Sequence, residues 1–118
     1  MYKRNDNMAK DYSFQVHINI MRALKRSNDL LPDSNFSTLD GNILCMVRSF
    51  NESGYVFFMS DKELADINIT SEKTIQRSIK RLCAAGLLTS RQDYTGGARR
   101  RYLEYSHTAL QELLDLTV

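Results

Sequence analysis

Two serines eleven residues apart, Ser60 and Ser71, constrain this chain more than any other feature, because each opens a helix and the first must end before the second begins. Ser60-Asp-Lys-Glu63 matches the S-x-x-E capping box, in which the serine hydroxyl accepts from one free amide of the first turn and the glutamate reaches back to another. The helix started there is short. Leu64, Ala65 and Ile67 are expected to face inward, and Asn68 is expected as a left-handed stop because its side chain can bond locally. Ser71 then caps a second helix running through Ala85 and closed by Gly86. Two helices joined by a tight turn make a helix-turn-helix unit.

At about 100° per residue, Ile75, Ile79, Leu82 and Cys83 of the second helix share one buried stripe. Lys73, Arg77 and Lys80 lie opposite, with Gln76 at one border and Thr74 and Arg81 at the other. Such a face fits the major groove, where Arg77 can make two hydrogen bonds to guanine and Gln76 two to adenine. Ser71 and the free amides behind it can meet a phosphate. The plainer reading of the same pattern is a core helix with a solvated outer face.

The net charge of +2 conceals its distribution. Residues 70–102 hold eight Lys and Arg against two acids, whereas residues 37–69 hold two against five and residues 103–118 none against three. A basic block inside a nearly neutral chain points to a localised polyanion-binding face. Part of that block reads as a β-hairpin, with strands over 87–91 and 99–105 around Thr95-Gly96-Gly97. Arg91, Arg99, Arg100 and Arg101 crowd this narrow ribbon, and alternation sends Arg100 to one face and its two neighbours to the other. Arginines so placed suit phosphate contact or a narrow minor groove. Tyr94 and Tyr102 are expected to pack on the hairpin, and the plainer role for the arginines is solubility.

Before residue 37 two patterns compete. Tyr12, Phe14, Val16, Ile18 and Ile20 alternate as in a strand, while Phe14, Ile18, Met21 and Leu24 have helical spacing and Met21 to Arg26 are good helix formers. A helix is favoured, ended near Pro32. Ser37 and Asp40 form a weakened capping box for a helix reaching about Asn51, with Leu39, Ile43, Met46, Val47 and Phe50 as its apolar stripe. Gly54 breaks the chain, Tyr55 to Met59 read as a brief strand, and Ser106 caps a last helix carrying Leu110, Leu113 and Leu114, flanked by Ala109 and Leu116.

A chain of 118 residues suits one domain, and 42% hydrophobic with 25% charged residues argues against disordered, collagen-like and membrane classes. No apolar run approaches 18 residues, and Met1 to Lys10 has no apolar stretch of a secretory signal, so the cytoplasm is the expected compartment. Cys45 and Cys83 lie far from each other and from His17 and His107, so both cysteines are expected reduced, with no zinc and no cofactor. No phosphate-loop, dinucleotide, zinc-protease or nucleophile-elbow motif is present, which makes an enzyme the least supported class.

Glu63-Leu-Ala-Asp66, Ser71-Glu-Lys-Thr-Ile75, Ile79-Lys-Arg-Leu82 and Ala85-Gly-Leu-Leu88 together resemble the shared pattern of winged helix-turn-helix proteins. The resemblance spans about residues 37–105 and departs from the family where Asn68-Ile69-Thr70 replaces the usual Leu-Gly-Val before the serine. It implies a mainly α fold with a small β-hairpin, a recognition helix over about 71–85 and a wing over about 87–105. The implied organisation is an N-terminal extension (1–36), the winged unit (37–105) and a C-terminal helix (106–118). In detail the chain looks like small plasmid and phage proteins that act in replication or conjugative transfer. Binding of double-stranded DNA follows as the expected function, in control of transcription, replication or transfer of a mobile element. A homodimer is expected through residues 12–26 and 107–116, since such proteins often pair through helices outside the winged unit. The alternative is a winged helix that contacts proteins of a replication or transfer complex and no DNA.

Overall fold

Helix α1 covers Tyr2–Leu30 in the computed structural model, which describes residues 2–94, 97 and 100–116, with side chains from residue 14 onward. The helical spacing therefore prevails over the strand-like alternation. Its buried stripe is Ile20, Ala23, Leu24 and Ser27, while Ile18 and Met21 are half-buried and Phe14 stays exposed. Pro32 lies just beyond the helix end, where it cannot continue the hydrogen-bond ladder.

Helix α2 (Thr38–Glu52) opens with a complete capping box, not a weakened one. Asp40 N donates to Ser37 Oγ at 3.2 Å, and Ser37 N donates back to Asp40 Oδ2 at 2.9 Å. Ile43, Leu44 and Val47 bury its inner face, and Gly41 admits close approach of α1, for a Cβ there would run into Met21. The expected strand over Tyr55–Met59 reduces to one antiparallel bridge, in which Leu103 N donates to Phe57 O at 3.0 Å. Phe57 is fully buried, with its ring edge-to-face on Phe50 at 5.0 Å, but Tyr55, Val56 and Phe58 remain exposed.

Helix α3 (Asp61–Asn68) also carries both halves of its capping box. Leu64 and Ala65 point inward as expected, whereas Ile67 does not and stays 53% exposed. The left-handed residue is Ile69 (φ 53°), not Asn68, whose side chain instead donates to Leu64 O at 2.8 Å. With its side chain satisfied inside the helix, Asn68 remains helical and the reversal falls one residue later.

Helix α4 (Glu72–Ala84) follows from Ser71 and ends before Gly86, whose φ of 77° only glycine adopts without strain. Strands β1 (Leu88–Asp93) and β2 (Arg100–Tyr105) pair antiparallel, with Leu88 opposite Tyr105 and Asp93 opposite Arg100. Helix α5 (His107–Asp115) is capped by Ser106 and buries Leu110 and Leu113, while Leu116 is half exposed. One continuous core joins Ile20 of α1, Leu44 of α2, Leu64 of α3, Leu82 of α4, Leu103 of β2 and Leu110 of α5.

Candidate nucleic-acid interface

The start of α4 is built by Ser71, whose Oγ accepts from Thr74 N at 3.1 Å and lies 2.9 Å from Thr74 Oγ1. The two hydroxyls are therefore bonded to each other, at the exposed end of the helix. The helix then buries Ile75, Ser78, Ile79 and Leu82 and leaves Lys73, Gln76, Arg77 and Lys80 exposed. Cys83, expected in the buried stripe, is only half-buried. Among the described residues, no hydrogen bond or ion pair engages these four outward side chains, so the face offers three cations and an amide to solvent.

Arg81 departs from the expected set. Its guanidinium forks onto Asp40, with Nε to Oδ2 at 2.6 Å and Nη2 to Oδ1 at 2.9 Å, and Ser78 Oγ donates to the same Oδ1. Asp40 is fully buried. Burial on its own would raise the carboxyl's pKa, but the hydrogen bonds from Arg81, Ser78 and the Ser37 amide outweigh it and hold the group below its ordinary value. The Arg81 guanidinium is pushed up in turn, first by its hydrogen bond to Asp40. Arg81 thus pairs inward because the core of α2 holds a carboxylate that must have a counter-charge.

The wing shows a similar division. Arg101 binds Asp61 at the start of α3 and donates from Nη2 to Met59 O at 2.6 Å, so it too is engaged within the chain. Arg91 reaches across the ribbon to Glu104 at 2.8 Å, an exposed pair of small energetic weight. Arg100 stays exposed, its guanidinium carbon 5.8 Å from the centre of the Phe58 ring, and Tyr102 packs its edge on that same ring at 5.8 Å. Tyr94, expected to pack on the hairpin, is 64% exposed. Gly97 takes a positive φ of 76°, while Thr95, Gly96 and Arg99 lie outside the described residues.

Sequence reading missed Asp40 and Ser78 as partners of Arg81. The available signal was Ser78 itself, a polar residue on the apolar side of α4 with an arginine one turn later. Cys45 and Cys83 are unpaired, and burial pushes the Cys45 thiol up to about 11, which suits an inert packing role. Among the described residues, no three His, Cys, Asp or Glu side chains gather as a metal site, and no helix is long and apolar enough to cross a membrane.

No protein-family model matches this sequence, nor does any curated protein. Solved structures do. A possible transcriptional regulator from Methanosarcina mazei Go1 is similar with a TM-score of 0.51 and 22% identity, over 85% of this chain and 73% of that one. The transcriptional regulator BldR from Sulfolobus solfataricus gives 0.51 and 20% identity, over 98% and 73% of the two chains. A variant of MepR from Staphylococcus aureus, bound to an oligodeoxyribonucleotide, gives 0.55 and 13% identity, over 98% and 72%. The fold is a winged helix-turn-helix. In its terms α3 and α4 are the helix-turn-helix pair and β1 with β2 the wing, while α1 and α5 are the additional helices expected at either end. Within the basic block of residues 70–102, the described cations left without an ion-pair partner are Lys73, Arg77 and Lys80 on α4 and Arg100 at the start of β2, whereas Arg81 and Arg101 turn back onto α2 and α3.

Proposed function

We propose that this winged helix is a double-stranded DNA-binding regulator that lays α4 in the major groove and its wing on the adjacent backbone or minor groove. One observation carries the proposal: Lys73, Gln76, Arg77 and Lys80 share an exposed face of a capped helix and have no partner among the described residues. Ser71 and Thr74 stand at the end of α4 that faces a phosphate, and Arg100 extends the cationic surface to the wing. Arg91 can exchange Glu104 for a phosphate, since both side chains of that pair are more than half or half exposed. Thr95, Gly96, Gly97 and Arg99 belong to the same proposed wing contact. Arg81 and Arg101 do not, and serve as supports.

The protein acts as a homodimer in this reading. A cleft of about 780 Å³, with Leu31, Phe36, Leu113 and Leu116 on its walls and the charged Asp33, Arg81 and Glu112 among the other lining residues, supports it, as does the exposure of Leu30. Likeness to transcriptional regulators favours transcription control, and the sequence resemblance to plasmid and phage proteins favours a mobile-element setting in replication or transfer. Selection of bound duplexes from a random pool tests the reading. Recovery of a palindrome with half-sites about 10 base pairs apart is expected for a symmetric dimer. A second reading, a module that contacts proteins of a replication or transfer complex, is favoured by the exposed Tyr55, Val56 and Phe58. Mobility shifts that weaken steeply between 50 and 200 mM salt support DNA binding, whereas salt-insensitive or absent shifts support the second reading.

A further inference from the structure

Asp40 lies on α2, remote in sequence from α4, yet it grips that helix at two points. Ser78 and Arg81 are one turn apart, and both bind the single buried carboxylate, Ser78 through Oδ1 and Arg81 through both oxygens. Ile75, Ile79 and Leu82 seat α4 on the core through contacts that are not directional, and the two polar attachments on the same stripe add directional bonds that narrow the roll the apolar packing leaves. The same carboxylate accepts from Ser37 N, so it is itself immobilised by the capping box of α2. Gln76 and Arg77, immediately before the first attachment, are therefore aimed by it.

We propose that Asp40 is a positioning residue for base readout: through Ser78 and Arg81 it sets the rotation of α4, and Arg81 contributes to DNA recognition without touching DNA. The inference rests on the reading of α4 as the groove-facing helix. It makes Arg81 different in kind from Arg77, although the two stand side by side on the helix surface. A phosphate contact needs only positive charge at position 81, whereas a two-oxygen grip needs the planar guanidinium fork.

The test uses the full chain, a duplex selected by the wild-type protein from a random pool, and a scrambled duplex of the same composition. Arg81→Lys keeps the charge and loses the fork. It is expected to reduce the preference for the selected duplex by roughly tenfold, within the range of one lost base contact, with unchanged affinity for the scrambled duplex and an unchanged salt slope. Arg81→Gln is expected to do the same, and Ser78→Ala, which leaves the ion pair in place, to do so more weakly. Thermal unfolding of each variant is followed by circular dichroism, so that binding is compared at a temperature where every variant is folded. Equal loss on both duplexes in Arg81→Gln, with the salt slope reduced by about one and rescue by lysine, would make Arg81 a phosphate contact and overturn the inference alone. An unchanged preference in all three variants would also overturn it. Failure of the wild type to bind any duplex would overturn the DNA-binding reading and this inference with it.

Discussion

Ile69 holds a left-handed backbone, φ 53°, at the turn between α3 and α4, with its side chain 93% exposed. A β-branched residue in that region costs about 1 to 2 kcal/mol relative to residues that visit it readily. The conformation persists because the amides of Ile69 and Thr70 both return to Ala65 O and because Ser71 must be delivered as the next cap. Since the isoleucine buries almost nothing, Ile69→Asn should stabilise the protein by about 1 kcal/mol, read as a rise of a few degrees in Tm. Sequence alone placed the reversal at Asn68, the residue type that suits it, because nothing local reveals that its amide is bonded back to Leu64. Asp40 is the other residue whose surroundings decide its behaviour. Its carboxyl is held below the unfolded value of about 3.9, so the stability it confers is complete above that pH and is lost as the pH falls through the depressed value. Asp40→Asn should therefore flatten the acid limb of the stability profile, measured by urea unfolding at stepped pH below about 5.

At the scale of elements, α2, α3, α4 and α5 were legible because each is opened by a serine whose hydroxyl accepts from the amide three residues on. That signal is local and survives without knowledge of the fold. The segment Tyr55–Met59 was not legible, for its composition suits a strand but only Phe57 makes a strand-like bridge, and its partner there, Leu103, lies far along the chain. The division between α4 and the wing gives a paired prediction. Arg77→Ala should reduce discrimination at one base by about 1 to 3 kcal/mol, while Arg100→Ala should weaken all duplexes alike and lower the salt slope by about one. Competition shifts with single-base variants of the selected duplex separate the two. Equal behaviour of both variants would dissolve the assignment of reading to the helix and anchoring to the ribbon.

For the whole molecule, the number of basic residues overstates the charge available to a polyanion. Of the eight in residues 70–102, Arg81 answers Asp40, Arg101 answers Asp61 and Arg91 answers Glu104. Lys73, Arg77, Lys80 and Arg100 remain outward, and Arg99 lies outside the described residues. With Arg77 given to a base and Arg91 exchanging Glu104 for a phosphate, the proposed phosphate contacts are Lys73, Lys80, Arg91 and Arg100, with Arg99 as a fifth by proposal, so the expected dependence of log K on log salt is about −4 to −5 per chain, against about −7 if every cation in the block met a phosphate. Titrations across 50 to 200 mM salt measure it directly. Segment charge predicted the sign of the surface but not its strength, because the balancing acids sit on other elements.

The latch of Arg101 onto Asp61 and Met59 has its own consequence for how this scaffold tolerates change. It fastens the tip-side half of the ribbon to the start of α3, two residues beyond the bridge that Leu103 makes to Phe57, so the ribbon is tied to the helix pair at two points along β2. A hairpin transplanted from another protein without an arginine at that place would pivot about the bridge. The grip of the helix pair on its target would then no longer dictate where the graft lands.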